Sequence, residues 1–325
     1  MKRWLAVLLL ILQLPIFALA ADEDNALNMV QQKRMNVYLI EEDNRLVSRA
    51  PSYPTKKMKT FVAALNEAID GLGEDRPPIY VYLVESSRSH RLARTFSVNS
   101  KAYKYIKKAV HADYFDHLKF TTYEEFCNYF YSTDHHWNYK GSYQGYVDVV
   151  RLLLGEEEEV LVPAEVVEIP QIFNGSYANR IKLPISKENF AFYKFDPFPQ
   201  YTAYQYGKKR TYDHYDIYLK GKYKKGRYAN HYAQCYGGDA GLMIFESEQH
   251  KDRTLLIIGN SLTNAVKPLL TAHFGKIIYV DLRSYKSMTK KAFSLSKAVE
   301  DYAPTQILLF GDAYLFTTDD TLPKP

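Results

Sequence analysis

RTLLIIGNSLTNAVKPLLTAHFGKIIYVDLR, residues 253–283, decides the fold. Leu255 to Ile258 is an unbroken apolar run of strand length, closed by Gly259 and Asn260. Continuous rather than alternating apolarity marks a strand covered on both faces. The spacing that follows predicts a helix from Leu262, stopped by Gly275 and kinked at Pro268. KIIYVDLR is a second strand, KSMTKKAFSLSKAVEDYAP (286–304) a second helix and TQILLFGD (305–312) a third strand. Strand, helix, strand, helix, strand with short links predicts an α/β fold, a parallel sheet flanked by helices. Right-handed crossovers then fix its local topology.

Upstream the same alternation begins. TKKMKTFVAALNEAIDGLG (55–73) places Phe61, Val62, Leu65, Ile69 and Leu72 at helical spacing, and PPIYVYLVESS (77–87) holds a buried strand. SYQGYVDVVRLLLG (142–155) reads as a buried helix ended by Gly155. From about 156 to 250 the texture changes. Val, Ile and Pro dominate 160–184, and tyrosine alternates with polar residues over 211–236, so this stretch reads as a β-rich insertion. Residues 21–55 carry no clear core pattern and read as an extended N-terminal arm. The main domain is then 56–325.

The first twenty residues, MKRWLAVLLLILQLPIFALA, show a basic start, an apolar run and Ala18-Leu19-Ala20. That is the pattern of a secretory signal peptide cut before Ala21. The expected location is outside the cytoplasm of a bacterium: periplasm, cell envelope or medium. No later segment is long and apolar enough to span a membrane, so none is expected after cleavage. Losing Lys2 and Arg3 takes the formal charge from +5 to +3, too mild to argue for nucleic acid. About 305 residues remain, enough for a sizeable core without a staple. Cys127 and Cys235 are therefore open to either reading, a disulfide or two buried thiols.

Ligands of open parallel sheets bind beyond the carboxyl ends of the strands. Gly259-Asn260-Ser261 sits there. Gly259 permits a tight turn, and a helix N-terminus behind Ser261 favours an oxyanion. Ser261 is thus a candidate nucleophile. The competing reading makes it only the helix N-cap.

A serine nucleophile needs a base, and YSTDHHWNYKGSYQGY (131–146) offers one. In an extended segment Asp134 and His136 face one side. Asp134 can then orient the ring while the other nitrogen serves Ser261. His135 points elsewhere, and Trp137 either walls the pocket or fills core. A metal-dependent reading of Asp-His-His is weaker. Adjacent histidines chelate one ion poorly, and the remaining histidines show no ligand spacing. No metal or other cofactor is expected.

The residues Asp134-His135-His136-Trp137, with Gly141 and Tyr146 after them, resemble the DHHW protein family. That family is similar to the alginate O-acetyltransferases and to the SGNH hydrolase-like fold. FNGSYANR (173–180), LLIIGNSLTNAVKPLL (255–270) and YVDLRSY (279–285) extend the resemblance. It implies a three-layer sandwich, with Ser261 as nucleophile, His136 as base and Asp134 as its partner. The order is permuted relative to ordinary SGNH hydrolases. Asn260 stands where that superfamily commonly has Asp. Arg283 falls in a motif typical of the family. For the oxyanion and pocket, the candidates are Gly259, Asn260, Trp137, His135, Asn174, Gly175 and Arg283, with Gly237 a further choice.

Two functions follow as expectations. One is an exported serine esterase or O-acetyltransferase acting on acyl esters of envelope or extracellular carbohydrate, with an acyl donor as second partner. The other is a non-catalytic carbohydrate-binding protein on the same fold, using the tyrosines and basic residues of 201–236.

Overall fold

The computed structural model describes residues 25–211 and 213–318. Residues 1–20, read above as a signal peptide, lie outside them. Among the described residues no helix is long and apolar enough to cross a membrane.

The chain opens with a small antiparallel meander of β1 (Met29–Gln31), β2 (Tyr38–Ile40) and β3 (Arg45–Val47). The described part of the segment read as an extended arm, residues 25–55, is therefore folded. Val37 and Leu46 are buried against Tyr177, Ala178 and Ile181. The Arg45 guanidinium donates to the carbonyls of Phe130 and Tyr131, both at 3.0 Å, just ahead of Asp134.

Helix α1 (Lys56–Asp70) leads into β4 (Ile79–Leu83), then α2 (Lys101–Ala109), β5 (Tyr114–His117), α3 (Tyr123–Tyr129) and α4 (Tyr139–Leu154). A hairpin of β6 (Glu165–Ile172) and β7 (Asn189–Lys194) brackets α5 (Ser176–Ile181). Next come β8 (Thr202–Gln205), β9 (Lys208–Arg210), α6 (His214–Leu219), α7 (His231–Tyr236) and β10 (Leu242–Glu246). The chain ends through β11 (Thr254–Gly259), β12 (Lys276–Val280), α8 (Leu282–Thr289), α9 (Leu295–Tyr302) and β13 (Gln306–Gly311).

Eight strands form the main sheet in the order β5-β4-β13-β11-β12-β10-β8-β9. The first five run parallel, and β10, β8 and β9 add on as antiparallel neighbours. The sheet is thus mixed where a parallel one was expected, because part of the β-rich stretch extends its edge. Alternate side chains feed two cores. Tyr80, Tyr82, Leu255, Ile257 and Phe310 pack with α4, α6 and α7, while Ile79, Val81, Leu256, Ile258 and Leu309 pack with α1, α2 and α9.

Residues 211–236 depart most from expectation. They form helices α6 and α7 rather than hairpins. Tyr215 and Tyr218 are buried, three residues apart, as are Tyr232 and Cys235, so the tyrosine alternation masked a helical face. These rings fill core instead of lining a surface strip. Cys127 and Cys235 are both free thiols.

Candidate active site

Four parallel strands deliver polar residues just past their carboxyl ends. β4 leads to Arg88, β11 to Asn260 and Ser261, β12 to Asp281 and Arg283, and β13 to Asp312. This is the edge at which open parallel sheets bind ligands.

At the end of β11, a side chain on Gly259 would meet Thr263 at 2.7 Å and the Phe310 carbonyl at 2.8 Å. Only glycine lets β11 and the following turn approach so closely. Asn260, not Ser261, is the cap: its Oδ1 accepts the Leu262 N–H at 3.2 Å. Its Nδ2 donates to Asp312 Oδ1 at 3.0 Å. The Ser261 hydroxyl is therefore spared capping. The helix expected after it is a five-residue 3₁₀ turn, Ser261–Ala265, followed by another at Leu269–Ala272. Pro268, between them, has no N–H with which to continue a helix. Without an α-helix, the macrodipole argument for an oxyanion falls away, and individual N–H groups must serve.

The second half of the site comes from the loop before α4. His136 Nε2 lies 2.9 Å from Ser261 Oγ, and His136 Nδ1 lies 2.6 Å from Asp134 Oδ1. The same carboxylate oxygen accepts the His136 N–H at 2.9 Å. Its partner Oδ2 accepts the Ser176 N–H at 2.5 Å. Asp134, His136 and Ser261 thus form one hydrogen-bonded chain. Burial alone would push the Asp134 carboxyl up. The His136 ring and these donors outweigh that and hold it far below the usual carboxylate range.

Gly175 makes the Asp134 pocket possible. A side chain there would strike Asp134 at 2.4 Å. Its N–H donates to Thr133 Oγ1 at 3.0 Å. Asn174 spends its amide on the Arg227 carbonyl and the Ser186 N–H. Both residues brace the loop around the acid. Trp137 is wholly buried core, its indole N–H shared between the Leu262 carbonyl at 3.1 Å and the Tyr232 hydroxyl at 3.3 Å. Gly141 and Gly145 of α4 leave room for it; a side chain on Gly145 would meet the indole at 2.4 Å.

His135 lies beside His136, ring centroids 3.8 Å apart, with its Nδ1 2.6 Å from Ser176 Oγ. Burial first, then His136 and Arg88, push it well below the ordinary histidine value, so it is neutral. Arg283 is committed to Asp281, at 2.9 and 2.6 Å, with Asp239 at 3.3 Å.

One ligand atom each from Asp134, His135 and His136 falls within 4.8 Å of the others, a grouping the sequence argument discounted. Those side chains already have protein partners: Ser176 for His135, and His136 and Ser176 for Asp134. An ion there would have to break the chain that leads to Ser261.

Sequence reading missed Tyr232, Ser176, Arg88 and Asp312. Tyr232 stacks on His136. Its hydroxyl donates to the Ser261 and Leu262 carbonyls, both at 3.2 Å. Arg88 pairs with Asp312 at 3.4 Å. Arg88 and Asp312 were findable, since both follow strand ends. Tyr232 and Ser176 carried no local signal.

No protein-family model matches the chain, and no curated protein does. Solved structures do. A DHHW family protein from Eubacterium siraeum aligns with a TM-score of 0.66 and 17% identity, over 90% of this chain and 96% of its own. Bacillus cereus PatB1 with a sulfonyl adduct aligns with a TM-score of 0.66 and 18% identity, over 92% of this chain and 100% of its own. The O-acetyltransferase domain of Pseudomonas putida AlgJ aligns at 12% identity with a TM-score of 0.41, over 91% and 94%, too remote to weigh. At these identities the likeness is one of fold.

Proposed function

We propose that the protein is an exported serine acyl-ester enzyme, an esterase or O-acetyltransferase, acting on envelope or extracellular carbohydrate. The observation that carries this is the hydrogen-bonded chain Asp134–His136–Ser261. Ser261 Oγ attacks an acyl carbonyl while His136 Nε2 takes its proton. Asp134 keeps Nδ1–H directed at itself, which leaves Nε2 free to accept. The tetrahedral oxyanion faces the N–H of Ser261 at the start of the 3₁₀ turn. Collapse expels the alkoxide leaving group, which takes the proton back from His136. Water or a sugar hydroxyl then repeats the attack on the acyl-enzyme, again through His136.

The reading treats residues 56–325 as one SGNH-like three-layer unit, with export directed by residues 1–20. The fold likeness to a DHHW protein and to PatB1 supports it. The carbohydrate-binding alternative keeps the half-buried tyrosines and exposed basic residues of 201–236, but Tyr215, Tyr218 and Tyr232 are buried and give it no surface.

The test uses an aryl acetate and a sulfonyl fluoride, an electrophile suited to activated hydroxyls. Wild type should turn over the ester and take one sulfonyl group at Ser261, whatever chelator is present. Ser261→Ala and His136→Ala should do neither. Turnover surviving in Ser261→Ala would sink the proposal.

A further inference from the structure

Lys267 has none of its surface exposed, and no carboxylate of the described residues lies within ion-pair distance of it. Its ammonium donates to Asn264 Oδ1 at 2.7 Å and sits 4.0 Å over the Tyr279 ring. Burying a cation with so little compensation is costly, and an apolar residue there is often neutral or stabilising. Stability does not explain this lysine.

Its position does. Lys267 follows Ser261 by six residues, and its backbone N–H bonds to Thr263 of the nucleophile turn at 2.9 Å. An ammonium donates and cannot accept, so the Asn264 oxygen must face it. The amide nitrogen is thereby directed to the Gly237 carbonyl, at 3.1 Å. Gly237 ends α7 with φ +83°, a conformation suited to glycine. Just upstream, α7 carries the Tyr232 ring on His136. Downstream, Asp239 is held by Arg283.

We propose that Lys267 is a positioning residue: by fixing the direction of the Asn264 amide, it holds the 237–240 loop in register with Ser261, and loss of its proton loosens that register. Without its charge the amine makes only a neutral hydrogen bond to the Asn264 oxygen, about half as strong as the charge-assisted one, and the hold on the Asn264 amide weakens. Burial pushes the Lys267 ammonium down to about 7, with Asp239 and Asp281 opposing. Of the other groups facing it, burial pushes His214 of α6 down and Tyr279 of β12 well up, each away from its charged form. Lys267 is therefore the group that changes charge near neutrality.

The structural part stands without the ester reading; only the kinetic arm rests on it. Hydrogen exchange of the buried Gly241 N–H, which anchors the end of this loop on the Tyr206 hydroxyl at 3.0 Å, should, corrected for intrinsic rate, show about tenfold less protection in Lys267→Met than in wild type at pH 6. Wild-type protection should fall between pH 6 and 8.5, and that fall should vanish in the variant. With an aryl acetate, kcat should drop about tenfold with little change in KM, and the wild-type decline above pH 7 should disappear. Loop protection equal to wild type at both pH values would overturn the inference, active enzyme or not. An inactive wild type would count against the ester proposal alone. Were Lys267→Met to lose protection throughout the chain, Lys267→Gln, which still donates, decides. Loop protection independent of pH supports the inference, and the wild-type pH dependence overturns it.

Discussion

The Tyr232 ring lies on the His136 imidazole, centroids 3.9 Å apart and planes 11° from parallel. In the proposed reaction His136 takes the Ser261 proton and becomes a cation against an aromatic face. Such a contact is worth about 1 kcal/mol, and more when desolvated. It acts on the charged state, so it should appear in kcat rather than KM. Tyr232→Leu is expected to lower kcat about fivefold to thirtyfold. Tyr232→Phe keeps the stack but loses the bonds to the Ser261 and Leu262 carbonyls. It should cost about 1 kcal/mol of stability and less in kcat. Steady-state kinetics beside thermal melts separate the two. A fully active Tyr232→Leu would show that the stack is packing only.

Asp134→Asn keeps the shape of the loop and reverses one hydrogen bond. The new amide donates where the carboxylate accepted, which favours the wrong imidazole tautomer. A loss of roughly 10³–10⁴ in kcat is expected, the scale seen when a triad acid is neutralised. The substitution also reports on acid stability. The folded-state value of Asp134 is depressed, so its contribution is present above the unfolded value near 4 and is lost as pH falls below it. Wild type should therefore lose its advantage over Asp134→Asn in melts taken below about pH 4. A gap that stays constant from pH 7 to pH 2 contradicts that assignment.

How far the sequence foretold this arrangement depends on how local each signal was. The run Leu255 to Ile258 and the turn after it announced both a buried parallel strand and a serine at its carboxyl end, because one segment carries both facts. Asp134 and His136 were legible for the same reason, two positions apart on one loop. Their meeting with Ser261 crosses 125 residues of chain, which no period or spacing records. Tyr232 reaches His136 from a segment whose tyrosines alternate as in a strand. It is helical because Tyr232 and Cys235 face the core together. The 3₁₀ turn after Ser261 follows from a signal already visible, Pro268, read only as a kink. The meander of residues 29–47 was hidden because its strands are three residues long, too short for alternation to show.

That residue 260 is an amide and not a carboxylate has a local reason. Its amide nitrogen donates to Asp312 Oδ1 at 3.0 Å while its oxygen caps the turn. Asn260→Asp removes the donor and sets two buried carboxylates against each other, with Arg88 and the Tyr314 N–H left on Asp312 at 3.4 and 3.2 Å. The expected cost is about 2–3 kcal/mol. It should shrink in acid, where one carboxyl takes a proton, so melts at pH 4 and pH 8 provide the check. A variant as stable as wild type at pH 8 would mean that Asp312 finds another donor.

Glu85 offers the sharpest pH test away from Ser261. It lies past the end of β4, wholly buried, its Oε2 3.3 Å from His90 Nε2 and its Oε1 3.5 Å from His117 Nδ1. Burial pushes the carboxyl up to about 8 against the Ser100 hydrogen bonds, and pushes both imidazoles down to about 4. Between its unfolded value near 4.5 and about 8 the folded protein holds a proton at Glu85 that the unfolded chain has lost. Folding stability at this residue therefore falls as pH rises through that window. The two histidines act oppositely between about 4 and their ordinary value of 6.5, since there the unfolded chain binds the extra protons. Glu85→Gln keeps both histidines, so their part cancels in the difference between the proteins. That difference should be smallest near pH 4.5 and grow in favour of Glu85→Gln up to pH 8, read as melting temperature in matched buffers. Parallel curves across the window would mean that Glu85 is ionised in the folded state, its charge shared with a protonated histidine.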